Sequence, residues 1–179
     1  MKRESKVLKM VLAAMFLALA YVLPFLTGQI QEIGSMLCPM HIPVLLCGFI
    51  CGWPWGIVVG FSAPLLRSMI LTMPPLFPKA VCMAFELATY GAIAGILYKA
   101  LPKKKLSIYV SLLVAMVAGR LVWGTAMFIC MGLSGGAFGW KAFLAGAITN
   151  AIPGIIIQII LIPVLVMALE KAGKGPETA

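Results

Sequence analysis

The chemistry open to this chain rests on very few side chains. Five acidic residues and a single histidine are spread over 179 residues, and one of the acids, Glu86, stands inside the apolar run Cys82-Met-Ala-Phe-Glu-Leu-Ala-Thr-Tyr-Gly91. Arg67, Arg120 and Asn150 stand in similar runs. A charged side chain in hydrocarbon costs a few kcal/mol or more, so such residues face a partner or a cavity and mark function. Three kinds of chemistry suit this set. Glu86 and Arg120 can form a structural ion pair, the same two can act as a proton-coupled pair, or the arginine forks can take the carboxylate or phosphate of a solute. Catalysis is not among them, because the sequence offers no Ser/His, Asp/Asp or metal constellation. The five cysteines (Cys38, Cys47, Cys51, Cys82, Cys130) include no Cys-x-x-Cys, so no metal or other cofactor is expected. All five read as small apolar residues, with Cys38 the one candidate for a reactive thiol. The phosphate-binding pattern Gly-x-x-x-x-Gly-Lys-[Ser/Thr] is missing, so this chain does not itself hydrolyse ATP. The residues do not point to an enzyme.

The elements that must position these side chains follow from composition. Hydrophobic residues make up 63% of the chain and charged ones 11%, and the mean hydropathy is +1.09. A soluble domain carries about 25% charged residues, so the bilayer must serve as solvent. The net charge of +9 sits at segment ends and forms no basic stripe interleaved with aromatics, which excludes nucleic acid as the partner. The reading is an all-α integral membrane protein, a single membrane domain built as a bundle of six transmembrane helices. Its segments cover residues 7–25, 40–51, 57–71, 78–100, 106–131 and 141–169. A span needs about 20 apolar residues. The second segment is short and the third contains Pro64, so these two either both cross or form a re-entrant hairpin about Gly52-Trp-Pro-Trp-Gly56. The basic amino end and Ala18-Leu-Ala20 imitate a secretory signal, but the apolar run continues through Tyr21–Leu26, so the first segment is expected to be retained.

Lys and Arg fix the expected sidedness. Six crossings from a cytoplasmic amino end place Lys2, Arg3, Lys6, Lys9, then Lys99, Lys103, Lys104, Lys105, then Lys171 and Lys174 inside, against Lys79 and Lys141 outside. Ten against two puts both termini in the cytoplasm. Glu86 then lies about 12 Å below the outer surface, Asn150 at a similar depth, Arg120 about 16 Å down and Arg67 nearer the rim, at 1.5 Å per residue. Several helices therefore aim polar groups into one layer of the outer half, either to pair with each other or to line a solute pocket. Two arginines against one carboxylate leave a positive charge in need of water or an anionic ligand group. Tyr90 and Trp123 are candidate lining residues, or simply pack. Pro153 would kink the sixth segment beside Asn150 and free the carbonyl of Thr149.

The first outer loop, Leu26-Thr-Gly-Gln-Ile-Gln-Glu-Ile-Gly-Ser-Met-Leu-Cys-Pro39, is too long for a tight connector. Gln29, Gln31 and Glu32 are its candidate gating residues. His41, between Pro39 and Pro43, takes either a ligand role or a capping and packing role. Ala14 and Ala18 stand four apart on one face of the first segment, a small-x-x-x-small spacing that permits close helix approach, within this chain or with a partner.

With its Ala14-Met-Phe-Leu-Ala18 helix, the long first loop and the block that opens Met40-His-Ile-Pro-Val-Leu-Leu-Cys-Gly-Phe-Ile-Cys-Gly-Trp-Pro-Trp-Gly56, the chain resembles the substrate-binding S component of an energy-coupling-factor (ECF) vitamin transporter. The stretches Gly119-Arg-Leu-Val-Trp-Gly124 and Asn150-Ala-Ile-Pro-Gly-Ile-Ile-Ile-Gln158 belong to the same likeness. That resemblance implies capture of a vitamin or related micronutrient at the outer face, in a pocket made mainly by the fourth to sixth helices and closed by loop 1, loop 3 (Thr72–Lys79) and loop 5 (Gly132–Lys141). It also implies docking through Ala14 and Ala18 on a transmembrane coupling subunit, energy from two cytoplasmic ATPases on separate chains, and a place in the bacterial cell membrane as part of an ABC importer. The two arginines suit an anionic vitamin such as pantothenate or a folate, while riboflavin, another vitamin or a modified base would rely on Asn150 and aromatics. Behind this reading stand a self-sufficient secondary transporter using the Glu86/Arg120 pair, a membrane scaffold for envelope assembly, and an intramembrane enzyme, in that order.

Overall fold

In hydrocarbon a spanning segment must satisfy its own backbone, which a helix does, and every element among the described residues is helical. The computed structural model describes residues 2–27, 37–102, 104–133, 139–147 and 151–171. They form α1 (Lys2–Val22), α2 (His41–Cys51), α3 (Trp53–Leu71), α4 (Val81–Ala100), α5 (Lys105–Leu133), α6 (Trp140–Ala147) and α7 (Ile152–Lys171). A 3-10 turn, Leu23–Thr27, extends α1, and a wide turn at Leu76–Ala80 leads into α4. Five stretches are long and apolar enough to cross a membrane: Lys6–Phe25, Trp53–Leu71, Leu76–Ala100, Lys105–Leu133 and Ile152–Lys171. Large apolar side chains such as Val11, Val117, Leu121 and Ile160 are exposed on them, as lipid-facing surfaces require. The chain is a multi-pass membrane protein.

The short helix is the centre of the bundle. At 11 residues α2 is about 16 Å long, roughly half the hydrocarbon thickness, and of its residues only Ile42 is not fully buried. A helix apolar on every side belongs inside other helices, and α2 packs against α1, α3, α4 and α7. Cys38, Pro39 and Met40, which precede it outside any long helix, are buried as well. Irregular backbone is tolerated at such depth when protein surrounds it. The segment thus descends into the bundle before α2 begins. One core unites Phe16, Phe49, Leu87, Leu112 and Ile162 from α1, α2, α4, α5 and α7.

Glycines bring α2, α3 and α4 into backbone contact. A Cβ on Gly91 would lie 2.4 Å from the Gly56 carbonyl, and one on Gly48 would lie 2.6 Å from the Gly91 oxygen. Small residues at such crossings allow dispersion contacts along whole helices, and here they fix α4 against its neighbours. Gly52, at φ +92°, takes a conformation that a side chain would disfavour. It alone separates α2 from α3, with Pro54 in the first turn of α3.

One expectation changes. The turn expected at residues 52–56 contracts to Gly52, since α3 starts at Trp53 and continues through Pro64. Among the described residues the sixth segment contributes α6 and α7, on either side of residues 148–150, with Pro153 in the first turn of α7.

Lysines collect at one end. Lys9 lies near Cys51, at the α2–α3 turn. Lys99 is in the last turn of α4, Lys105 begins α5 and Lys171 ends α7. A hydrogen bond from the Tyr98 hydroxyl to Glu170 ties α4 to α7 at this end. Lys79 and Lys141 belong to the opposite end, before α4 and at the start of α6.

Candidate functional site

Glu86 sits in the second turn of α4, next to Leu87, whose carbonyl oxygen would lie 2.4 Å from a Cβ on Gly60 of α3, and it is 1% exposed. Removing a carboxylate from water costs several kcal/mol unless paired and hydrogen-bonded. Both conditions are met. Arg120 Nη1, on α5, lies 3.0 Å from Glu86 Oε1. The hydroxyl of Tyr90, one turn along α4, donates to the same oxygen at 2.9 Å. His41 Nε2, in the first turn of α2, is 3.5 Å from it, within electrostatic reach but making no hydrogen bond. The imidazole also tilts against the Tyr90 ring at 5.2 Å. Arg120 extends the cluster, its Nη2 donating to Cys38 Sγ at 3.7 Å. Cys38 adopts φ +47°, a left-handed conformation that costs about 1 kcal/mol without glycine. The turn it makes lets its carbonyl accept from His41 N at 3.0 Å, so the same residue both starts α2 and meets Arg120.

Local sequence explains why the ring and the guanidinium reach this point. Glu86 and Tyr90 are four apart and share a helix face. Gly119 leaves room for the Tyr90 ring, since a Cβ there would lie 2.2 Å from Tyr90 Cε1. Arg120 follows directly and turns to the carboxylate.

The other candidates go elsewhere. Arg67 is buried at 5% exposure on the α1 side, with Nη1 donating to the Tyr21 carbonyl at 3.0 Å and its guanidinium 5.5 Å from the Phe25 ring centre. Trp123 stacks on Phe143 of α6 at 6.4 Å, and Phe143 in turn on Trp140. That aromatic stack ties α5 to α6. Asn150, Gln29, Gln31 and Glu32 lie outside the described residues. Ala14 and Ala18 are exposed, with Ala13, Phe16 and Ala20 turned inward. Their face of α1 is therefore not used for packing within the described part of the chain. No cluster of three metal-ligating side chains occurs among the described residues.

The expectation of an anionic ligand rested on two arginines against one carboxylate. Arg120 now has Glu86 as a direct counter-ion, and Arg67 is engaged by a carbonyl and a ring. His41 and Cys38 are the additions. Depth counting pointed to the long helices and left aside the half-length α2, whose first turn stands level with Glu86.

A family model for the ECF transporter substrate-specific component matches residues 8–166. No curated protein and no solved structure matches the chain.

Proposed function

The chain belongs to the substrate-specific components of ECF transporters, and from that premise we propose that it captures a vitamin or related micronutrient on the outer side of the cell membrane. In this reading both termini are cytoplasmic, the lysine-rich end faces inward, and the Glu86 layer lies in the outer half of the bilayer. The observation that carries it is the meeting of His41, Glu86, Tyr90 and Arg120, from three helices, at one buried point. A bundle held by apolar and glycine contacts has no structural need for so many polar groups there, and intramembrane ionisable residues mark solute paths. Asn150, and Gln29, Gln31 and Glu32 on the first loop, complete and cover the site in this proposal. Tyr90 lines it beside Glu86, while Arg67 and Trp123 border it on the α1 and α6 sides.

Delivery needs other chains. The exposed Ala14 and Ala18 form the docking face for a transmembrane coupling subunit, and two cytoplasmic ATPases drive release, as in an ABC importer. The test is purification from the native membrane, with mass spectrometry of the small molecule and polypeptides that accompany the chain. A vitamin-like solute with a coupling subunit and ATPases is the expected result. Solute uptake by proteoliposomes holding this chain alone, driven by a proton gradient, would instead favour a stand-alone secondary transporter. The direct Glu86–Arg120 pair supports that second reading.

A further inference from the structure

The substrate-binding role just proposed leaves open which side chains hold the solute and what charge it carries, and α7 bears on both. Gly154, Gln158, Ile162 and Val166 are buried at a spacing of four along this helix, a stripe turned to its packing neighbours α2 and α5. The bond between Tyr98 and Glu170 sets the register of α4 and α7. Glu86 precedes Tyr98 by twelve residues and Gln158 precedes Glu170 by twelve, which is about 18 Å along each helix. Gln158 therefore stands level with the Glu86–Arg120 pair, facing the two helices that carry His41 and Arg120.

What these three share is unmade hydrogen bonds. Gln158 is 1% exposed, and its Nε2 has no hydrogen-bond partner among the described residues; the same holds for Arg120 Nε and for both ring nitrogens of His41. Each buried group left so gives up its hydration with nothing in return, and three at one depth on three helices is not the pattern of isolated packing faults. The charges of Arg120 and Glu86, in contrast, answer one another at 3.0 Å. A further charge brought into this layer would lose its hydration without gaining a free counter-ion. The guanidinium and amide groups left over are N–H donors, and the imidazole adds its ring nitrogens.

We infer that Gln158, His41 and the Nε of Arg120 form the hydrogen-bonding edge of the solute site, and that the solute is uncharged where it meets them and rich in acceptors such as carbonyls and ring nitrogens. Gln158 is the residue that separates a binding role from a structural one. Replacing a buried amide whose Nε2 has no partner among the described residues by an apolar side chain of similar volume leaves the empty protein as stable or more so, while a solute that uses the amide loses a partner.

The experiment is a thermal-shift titration of the purified chain in lipid nanodiscs with water-soluble vitamins of each charge class. Riboflavin and pyridoxine serve as uncharged probes, pantothenate, biotin and nicotinate as anions, and thiamine as the cation. Stabilisation by an uncharged probe, an affinity at least tenfold lower in Gln158→Leu, and an unchanged or higher melting temperature of that variant without solute are expected. A lower melting temperature without solute, or undiminished affinity, would make Gln158 structural and overturn the inference. Preferential binding of an anion or of thiamine would overturn it too, while leaving solute capture intact. If no vitamin of any class stabilises the protein, solute capture of this kind fails and the inference falls with it.

Discussion

Glu86 Oε1 gathers a guanidinium, a phenol and, at a longer distance, an imidazole, so single substitutions there act on shared energy. Truncating Arg120 strands a buried carboxylate, and Arg120→Leu is expected to cost about 3–5 kcal/mol, read as a fall in melting temperature in detergent. The double variant Glu86→Leu/Arg120→Leu should lose much less than the sum of the two single changes, because neither charge is then left alone. Additive losses would mean that the pair contributes little beyond packing. Gly119 gives a second test. Gly119→Ala drives a methyl into the Tyr90 ring and is expected to destabilise by about 1–3 kcal/mol, the usual cost of overpacking. Once the ring is displaced its bond to Glu86 is gone, so adding Tyr90→Phe to Gly119→Ala should cost almost nothing more, whereas Tyr90→Phe alone should cost about 1 kcal/mol.

Among the helices, two surfaces have opposite tolerance. Where α3 and α4 touch through Gly56 and Gly91, the neighbours of an added Cβ are backbone atoms that cannot turn away. Gly91→Ala is therefore expected to abolish folded, monodisperse protein in size-exclusion chromatography. Gly132→Ala, with nothing within 4 Å of its Cβ, should leave the elution profile unchanged. On α1 the exposed Ala14 and Ala18 should accept Trp without loss of fold or of bound solute. Co-elution with the coupling subunit should disappear in the same variants, and continued co-elution would place docking on another face.

For the molecule as a whole, the segregation of lysines becomes a statement about sidedness. In a background lacking the five native cysteines, single cysteines at positions 104 and 141 should differ toward a membrane-impermeant thiol reagent on intact cells. Lys141→Cys is expected to react and Lys104→Cys only after the membrane is opened. Trp53→Cys, beside the α2–α3 turn, should behave like Lys104→Cys. Reaction of Trp53→Cys in intact cells would turn α2 and α3 the other way and contradict the proposed orientation.

Hydropathy and breakers were sufficient to read a helical, multi-pass membrane protein, because burial in lipid imposes constraints that act locally along the chain. Helical rise converts residue number into depth, and so placed Glu86 and Arg120 in one layer while leaving open whether they pair. Depth says nothing about azimuth, however. Arg67 and Trp123 turn to α1 and α6, Arg120 spends its charge on Glu86, and His41 enters from a half-length helix that residue counting undervalues. Nor does pattern alone tell whether α2 lies at the rim or the centre, which the glycine contacts decide by letting backbones touch. Which polar atoms find partners depends on side chains that are distant in sequence, and only their packing in three dimensions brought those together.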